Sequence, residues 1–330
     1  MVSVIEVARL AGVSIATVSR VVTNSAFVEP QTRQKVEKAI KELNYVPNLL
    51  AKGMKEKSGG FIGLVIEEIS HEFFSSVISS IEESVSRRGY TLLLVNTAVR
   101  KGQTEGEIIG RLLGRKVDGI IVMSNTQLFS KMKATGIPMV QMNCHHEEGH
   151  VQKIRVDDYK AGIFAGEHYA DLGHRKLFCI TGGSGVDSTQ RLAGFRDALR
   201  GRGISLTEDR VFRGDFEYAS GMAAARHILE KGIDVSGIWA QNDLMAIGAM
   251  SELSRSGMRI PDETSIVGMD DSPIAQYSYP RLTTLRQPVQ EMAVKTVEIL
   301  LDLRDGKKVG EADIVYPPEL IIRETTRRLI

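Results

Sequence analysis

Apolar and polar positions change rhythm along this chain of 330 residues. At the start, Val4-Ile5-Glu6-Val7-Ala8-Arg9-Leu10-Ala11 places apolar side chains at helical spacing. Gly12 interrupts the pattern with a residue that tolerates positive φ at a tight turn. Ser14 can then cap a second short helix, Ile15 to Val22, whose Val18, Val21 and Val22 share an inward face. Pro30 suits a first helical position, and Val36, Ala39, Ile40 and Leu43 give a third helix over 32–43. Two short helices joined by a glycine turn, with a third to close the core, predict a helix-turn-helix headpiece over 1–46. The short segment 47–59 begins with Pro47-Asn48 and ends in Lys55-Glu56-Lys57-Ser58-Gly59. Its helical portion is too short to be stable alone in water, so it is expected to fold only on docking.

From residue 60 the rhythm becomes strand-like runs alternating with amphipathic helices. Strands are predicted at Phe61–Ile66, Thr91–Asn96, Gly119–Met123, Pro138–Met142, Leu177–Thr181, Gly237–Ala240 and Ser265–Met269, about ten in all. Helices are predicted near Phe73–Arg88, up to Leu172, near Arg191–Arg202 and near Leu244–Arg255. This alternation predicts an α/β body of two doubly wound parallel-sheet subdomains. A weak internal echo supports two halves: Val117-Asp118-Gly119-Ile120-Ile121 returns as Val235-Ser236-Gly237-Ile238-Trp239.

Composition fits a globular chain, with 42% hydrophobic and 25% charged residues. No apolar run is long enough to span a membrane, and the first residues do not resemble a signal peptide. Two cysteines make no disulfide framework, so a reducing cytoplasm is the expected location. The net charge of +1 hides an asymmetry: residues 1–57 carry nine basic and five acidic side chains, +4, and the remainder carries −3. A basic head on a slightly acidic body suggests that only the head meets a polyanion.

Candidate chemistry lies in two places. On the second helix Ile15, Ala16, Ser19 and Arg20 are left to face outward. Small residues there allow close approach to base edges, and Arg20 can grip a guanine or a phosphate. In the body, ligands of open α/β sheets sit beyond the carboxyl ends of strands. The polar and aromatic residues at those ends are Asp157, Arg191, Phe216, Asn242 and Asp270, with Gln287 at a crossover and Phe73 or Phe74 facing them from the first half. Carboxylates, an amide and a guanidinium beside aromatic faces suit a polyhydroxylated ligand. Gly182-Gly183-Ser184-Gly185 lacks the lysine of a phosphate loop and reads as a tight turn. Cys144-His145-His146-Glu147-Glu148-Gly149-His150 fits no standard zinc spacing, so no metal is expected. No catalytic constellation can be placed, so no enzyme and no cofactor is expected.

The ordered set Val7-Ala8, Ala11-Gly12-Val13-Ser14, Ala16-Thr17-Val18-Ser19-Arg20-Val21-Val22, Thr32-Arg33, Lys35-Val36, Leu43-Asn44-Tyr45 and Pro47-Asn48 resembles the lactose-repressor (LacI/GalR) family of bacterial regulators. The resemblance implies that Ser14, Ile15, Ala16, Thr17 and Arg20 face an operator, and that Asn48 and Met54 belong to a hinge that enters the minor groove. Met54 stands where the family has a leucine, Thr23 where it usually has Asn, and Glu72 where it often has Pro. It also implies a periplasmic-binding-protein-like type I core, with an N-subdomain of 60–158 plus 288–312 and a C-subdomain of 159–287 plus 313–330. The expected partners are pseudo-palindromic operator DNA, a second copy of the chain and a small carbohydrate effector held by Phe73, Asp157, Arg191, Phe216, Asn242, Asp270 and Gln287. The resulting expectation is an allosteric DNA-binding regulator, most simply a repressor. The alternative is a solute-binding protein without a regulatory role.

Overall fold

The computed structural model describes residues 2–23, 26–45, 59–66, 69, 72–97, 105–123, 135–144, 152–310 and 312–329. The hinge residues Asn48 and Met54 lie outside this set, as do residues 145–150 of the histidine-rich run. The chain divides into two units, 1–60 and 61–330.

Among the described residues the first unit has three helices, α1 (Val4–Ala11), α2 (Ile15–Thr23) and α3 (Pro30–Glu42). The Glu6 carboxylate accepts from the Ser3 backbone N–H at 2.7 Å, which ties down the start of α1. Gly12 ends α1 in the left-handed conformation, φ 67°, and its N–H returns to the last turn. Val7, Ala8, Ala11, Val18, Val21, Val36 and Ala39 form the buried centre, with Val13, Ile40 and Leu43 packed around it.

The second unit contains two six-stranded sheets. Elements of the first half are β1 (Phe61–Ile66), α4 (Glu72–Ser86), β2 (Thr91–Asn96), α5 (Glu105–Gly114), β3 (Gly119–Met123), β4 (Met139–Met142) and β5 (Gln152–Val156). The chain then crosses to α6 (Asp158–Asp171), β6 (Leu177–Thr181), α7 (Val186–Gly201), β7 (Val211–Arg213), α8 (Tyr218–Glu230), β8 (Gly237–Ala240), α9 (Asp243–Arg255), β9 (Ser265–Asp270), α10 (Pro273–Tyr277) and β10 (Thr283–Arg286). It returns as α11 (Val289–Arg304) and β11 (Asp313–Tyr316), and crosses again to β12 (Glu319–Ile321). The sheet orders are β11-β5-β4-β3-β1-β2 and β12-β10-β9-β8-β6-β7. All pairings are parallel except β10 with β12. Strands buried on both faces explain their unbroken apolar runs; β3 and β6 are buried at every position.

The internal echo falls on β3 and β8, which hold the same place in the two sheet orders. Each glycine lies under a side chain from a helix that reached its sheet by crossing over. A Cβ on Gly119 would stand 2.8 Å from Leu300 of α11, and one on Gly237 2.5 Å from the Tyr169 ring of α6.

One expected boundary moves. Residues 313–330 were assigned to the second half, but Asp313–Tyr316 pairs with β5 of the first. Arg155 holds Asp313 through two of its nitrogens, with Nε–Oδ1 3.0 Å and Nη2–Oδ2 2.9 Å. Pro317 and Pro318 follow, lack N–H donors and end the strand, so the last crossing lies there. The described residues hold twelve strands against about ten expected, and β7 and β12 are three-residue edges.

Candidate functional site

The headpiece offers one face. Ser14 Oγ accepts from the Thr17 backbone N–H at 3.2 Å, so the serine caps α2. Its hydroxyl also pairs with the Thr17 hydroxyl at 2.9 Å. Burial of Val18 and Val21 turns the opposite side of the helix outward. Ser14, Ile15, Ala16, Ser19 and Arg20 are exposed, and Thr17 is half-buried between the two faces. An apolar Ile15 left 49% exposed contributes nothing to the headpiece core, which is the condition under which it is available to a partner.

In the core, a cavity of about 570 Å³ opens between the two halves. The first half supplies Glu72, Phe73 and Phe74, and the second supplies Asp187, Arg191, Asp215, Phe216, Asn242 and Asp270. Gln287, at the crossover, completes the floor. Phe73 and Phe74 stand edge to face with centroids 5.4 Å apart.

Arg191 is the electrostatic centre. It is buried, and its Nε donates to Asp158 Oδ1 at 2.7 Å while Nη1 donates to the Gln241 carbonyl at 2.6 Å. Its guanidinium lies 5.8 Å from the centre of the Phe216 ring. That ring presses on Gly182, where any Cβ would collide with it. The glycine-rich turn after β6 therefore makes room for an aromatic wall. Gln241 fastens the same turn: its Oε1 accepts from Gly182 N at 3.0 Å and from Ser188 Oγ at 2.6 Å. Asn242 caps α9 by accepting from Met245 N at 2.9 Å, and its amide donates to the Phe216 carbonyl at 2.7 Å.

Asp270 ends β9 with φ 123°, and Asp271 follows at φ 56°, both unusual for residues with a side chain. Surrounding bonds hold this turn. Asp271 pairs with Arg286 at 2.7 Å and with Arg323, and Ser272 donates through N and Oγ to the buried Asp243. Burial pushes the Asp270 carboxyl up to about 7, against the pull of Arg191 and of the Gln287 hydrogen bond. A relay continues from it: Gln287 Nε2 donates to Asp270 Oδ1 at 2.8 Å, and Asn143 Nδ2 of the first half donates to Gln287 Oε1 at 3.1 Å.

The structure thus brings Phe73, Arg191, Phe216, Asn242, Asp270 and Gln287 to one cavity. Asp157 does not join them. Its Oδ1 accepts from Lys160 N at 2.9 Å and caps α6. The neighbouring Asp158, first residue of the helix, takes the buried role opposite Arg191. Asp158, Gln241, Asp187 and Asp215 were absent from the sequence-based set. Each sits within five residues of one that was included, so proximity to a strand end was the signal available. Cys144, from the run weighed for metal, is buried, and its thiol donates to the Val122 carbonyl at 3.6 Å.

Residues 3–48 match the family described as bacterial regulatory proteins, lacI family, and residues 167–326 match the periplasmic binding protein-like domain. An HTH-type transcriptional repressor PurR from Vibrio campbellii is 34% identical over 334 residues, covering 100% of both chains. The chain belongs to the LacI family. The PurR repressor of Photobacterium profundum is 32% identical, again over the full length of both chains. Among solved structures, a lac repressor dimer bound to operator and the anti-inducer ONPF is 29% identical, with TM-score 0.84 and 99% of each chain covered. A complex of the regulator CelR with cellobiose is 31% identical, with TM-score 0.75, covering 98% of this chain and 100% of that one. This LacI-family chain is therefore an effector-controlled, DNA-binding transcriptional repressor, in a family of transcriptional regulators.

Proposed function

We propose that α2 reads operator DNA through Ser14, Ile15, Ala16, Thr17 and Arg20, and that the cavity around Arg191 and Asp270 receives a carbohydrate-type effector. The observation that carries the second part is the wall itself. Hydroxyls both donate and accept, and this wall offers carboxylates, an amide and a guanidinium beside two sets of phenyl rings that cover C–H faces. The cellobiose in the CelR complex is a ligand of this chemical kind. Effector contacts to both halves change their relative angle, and the shift passes through segment 47–59 to the headpiece, so DNA affinity follows from differential binding to two states. The protein acts as a homodimer on a pseudo-palindromic site in the cytoplasm and catalyses no reaction.

The DNA-reading assignment is tested by gel shift with the operator upstream of the protein's own regulated genes. Arg20→Ala is expected to abolish specific binding, and unchanged affinity would sink the reading-helix assignment. The cleft is tested by a thermal-shift screen of neutral sugars, in which ligands of the folded state raise Tm. A solute-binding protein without regulatory role would show no steep loss of DNA affinity with salt, whereas the headpiece requires it.

A further inference from the structure

The described residues lining the cleft carry more acidic than basic groups. Arg191 is the cation among the described lining residues, and its Nε and Nη1 are already committed to Asp158 and to the Gln241 carbonyl. Asp158 is only 3% exposed, so the guanidinium charge is neutralised within the wall. Four lining carboxylates remain: Asp187, Asp215 and Asp270 from the second half and Glu72 from the first.

Glu72 differs from the other three. It opens α4, and its Oε2 accepts from the backbone N–H of Ile274 at 3.0 Å, in the opposite half. That N–H is the first donor of α10, because Pro273 has none. Glu72 satisfies this donor from the other half. Asn242 occupies the start of α9 in the same way. These two helix-start donors and the Nε and Nη1 of Arg191 are thus already committed within the protein.

We propose that Glu72 is a specificity-determining residue of the cleft: its carboxylate bridges the two halves and bars effectors that carry a phosphate or carboxylate group, leaving neutral and amine-bearing polyols as the admitted class. This rests on the reading of the cavity as the effector site. Glu72 is exposed beside the Phe73 and Phe74 rings, where its charge adds to those of the lining aspartates. The bridge and the charge are separable. Glu72→Gln keeps a carbonyl acceptor for the Ile274 N–H and removes the charge, whereas Glu72→Ala removes both.

The test measures, by calorimetry and thermal shift on the full-length protein, the affinity of glucose, ribose, cellobiose and glucosamine against glucose 6-phosphate, ribose 5-phosphate and gluconate. The readout is the ratio of affinities for each anionic sugar and its neutral parent. The wild type is expected to bind from the neutral and amine set and to reject the anions. In Glu72→Gln the ratio should move toward the anion by about tenfold, equivalent to about 1.4 kcal/mol. Circular dichroism confirms that each variant folds. A wild type that prefers an anionic sugar, or a Gln variant with an unchanged ratio, overturns the charge rule while neutral-sugar binding leaves the cleft reading standing. Binding by none of the compounds overturns both.

Discussion

The two halves of the core repeat one architecture and divide its chemistry. Each has six strands in the same spatial order, and each places a glycine at the start of its third-neighbour strand, β3 or β8, beneath a crossing helix. Their interiors differ. Among the described residues, the first half buries apolar side chains with few polar ones, such as Ser84 and Gln141. The second buries Asp158, Arg191, Gln241, Asn242 and Asp243, each held by hydrogen bonds. The first half faces the cleft with two phenylalanines and one carboxylate; the second presents an ordered polar wall. A repeated backbone does not require repeated chemistry, because sheet packing constrains the core faces of the strands and leaves the loops at their ends free.

The sharpest way to break this contrast is to remove its central cation. Arg191→Ala removes the cation that faces the buried Asp158, with an expected cost of about 3–5 kcal/mol in urea unfolding and loss of effector binding. Adding Asp158→Asn should recover part of the stability and none of the binding. A loss below about 1 kcal/mol would mean that the ion pair does not organise this wall.

The shared glycines sharpen the comparison. Tyr169 is fully buried, and its hydroxyl donates to the Ile238 carbonyl, so its ring cannot yield to a new methyl group. Leu300 can change rotamer. Gly237→Ala is therefore expected to cost about 2–3 kcal/mol and Gly119→Ala about 1 kcal/mol, both read by thermal unfolding. Equal costs would show that the two crossing helices are equally rigid.

The smallest effect is a pH dependence. The folded-state pKa of Asp270, about 7, lies above its value in an unfolded chain. The native state thus keeps its proton longer, and stability falls as pH rises from about 4 to about 7. Asp270→Asn should flatten that part of the stability profile by about 1–2 kcal/mol relative to wild type, less than full burial implies because water reaches the cleft. Parallel profiles for the two proteins would contradict the raised pKa.

The sequence made some features legible and hid others. The headpiece was readable because each helix is short, its apolar face is set by spacing, and Gly12 and Ser14 act on their immediate neighbours. Strands such as β3 and β6 were readable because burial on both faces leaves continuous apolar runs. The edge strand β11 was misassigned because it alternates exposed and half-buried positions, and its partner Arg155 is far away in sequence. Asp157 and Asp158 were inseparable on paper. Which carboxylate caps α6 and which meets Arg191 depends on the residue at which the helix begins.

By itself, the sequence determined the element types, the division into head and body, the outward face of α2 and most residues of the cavity, since these follow from periodicity and from position at strand ends. Tertiary structure alone decided that Phe216 rests on Gly182, that Gln241 secures the turn beneath Arg191, and that Glu72 reaches Ile274 across the cleft. Those contacts join residues separated by 34 to 202 positions, and no local propensity encodes a partner at that distance.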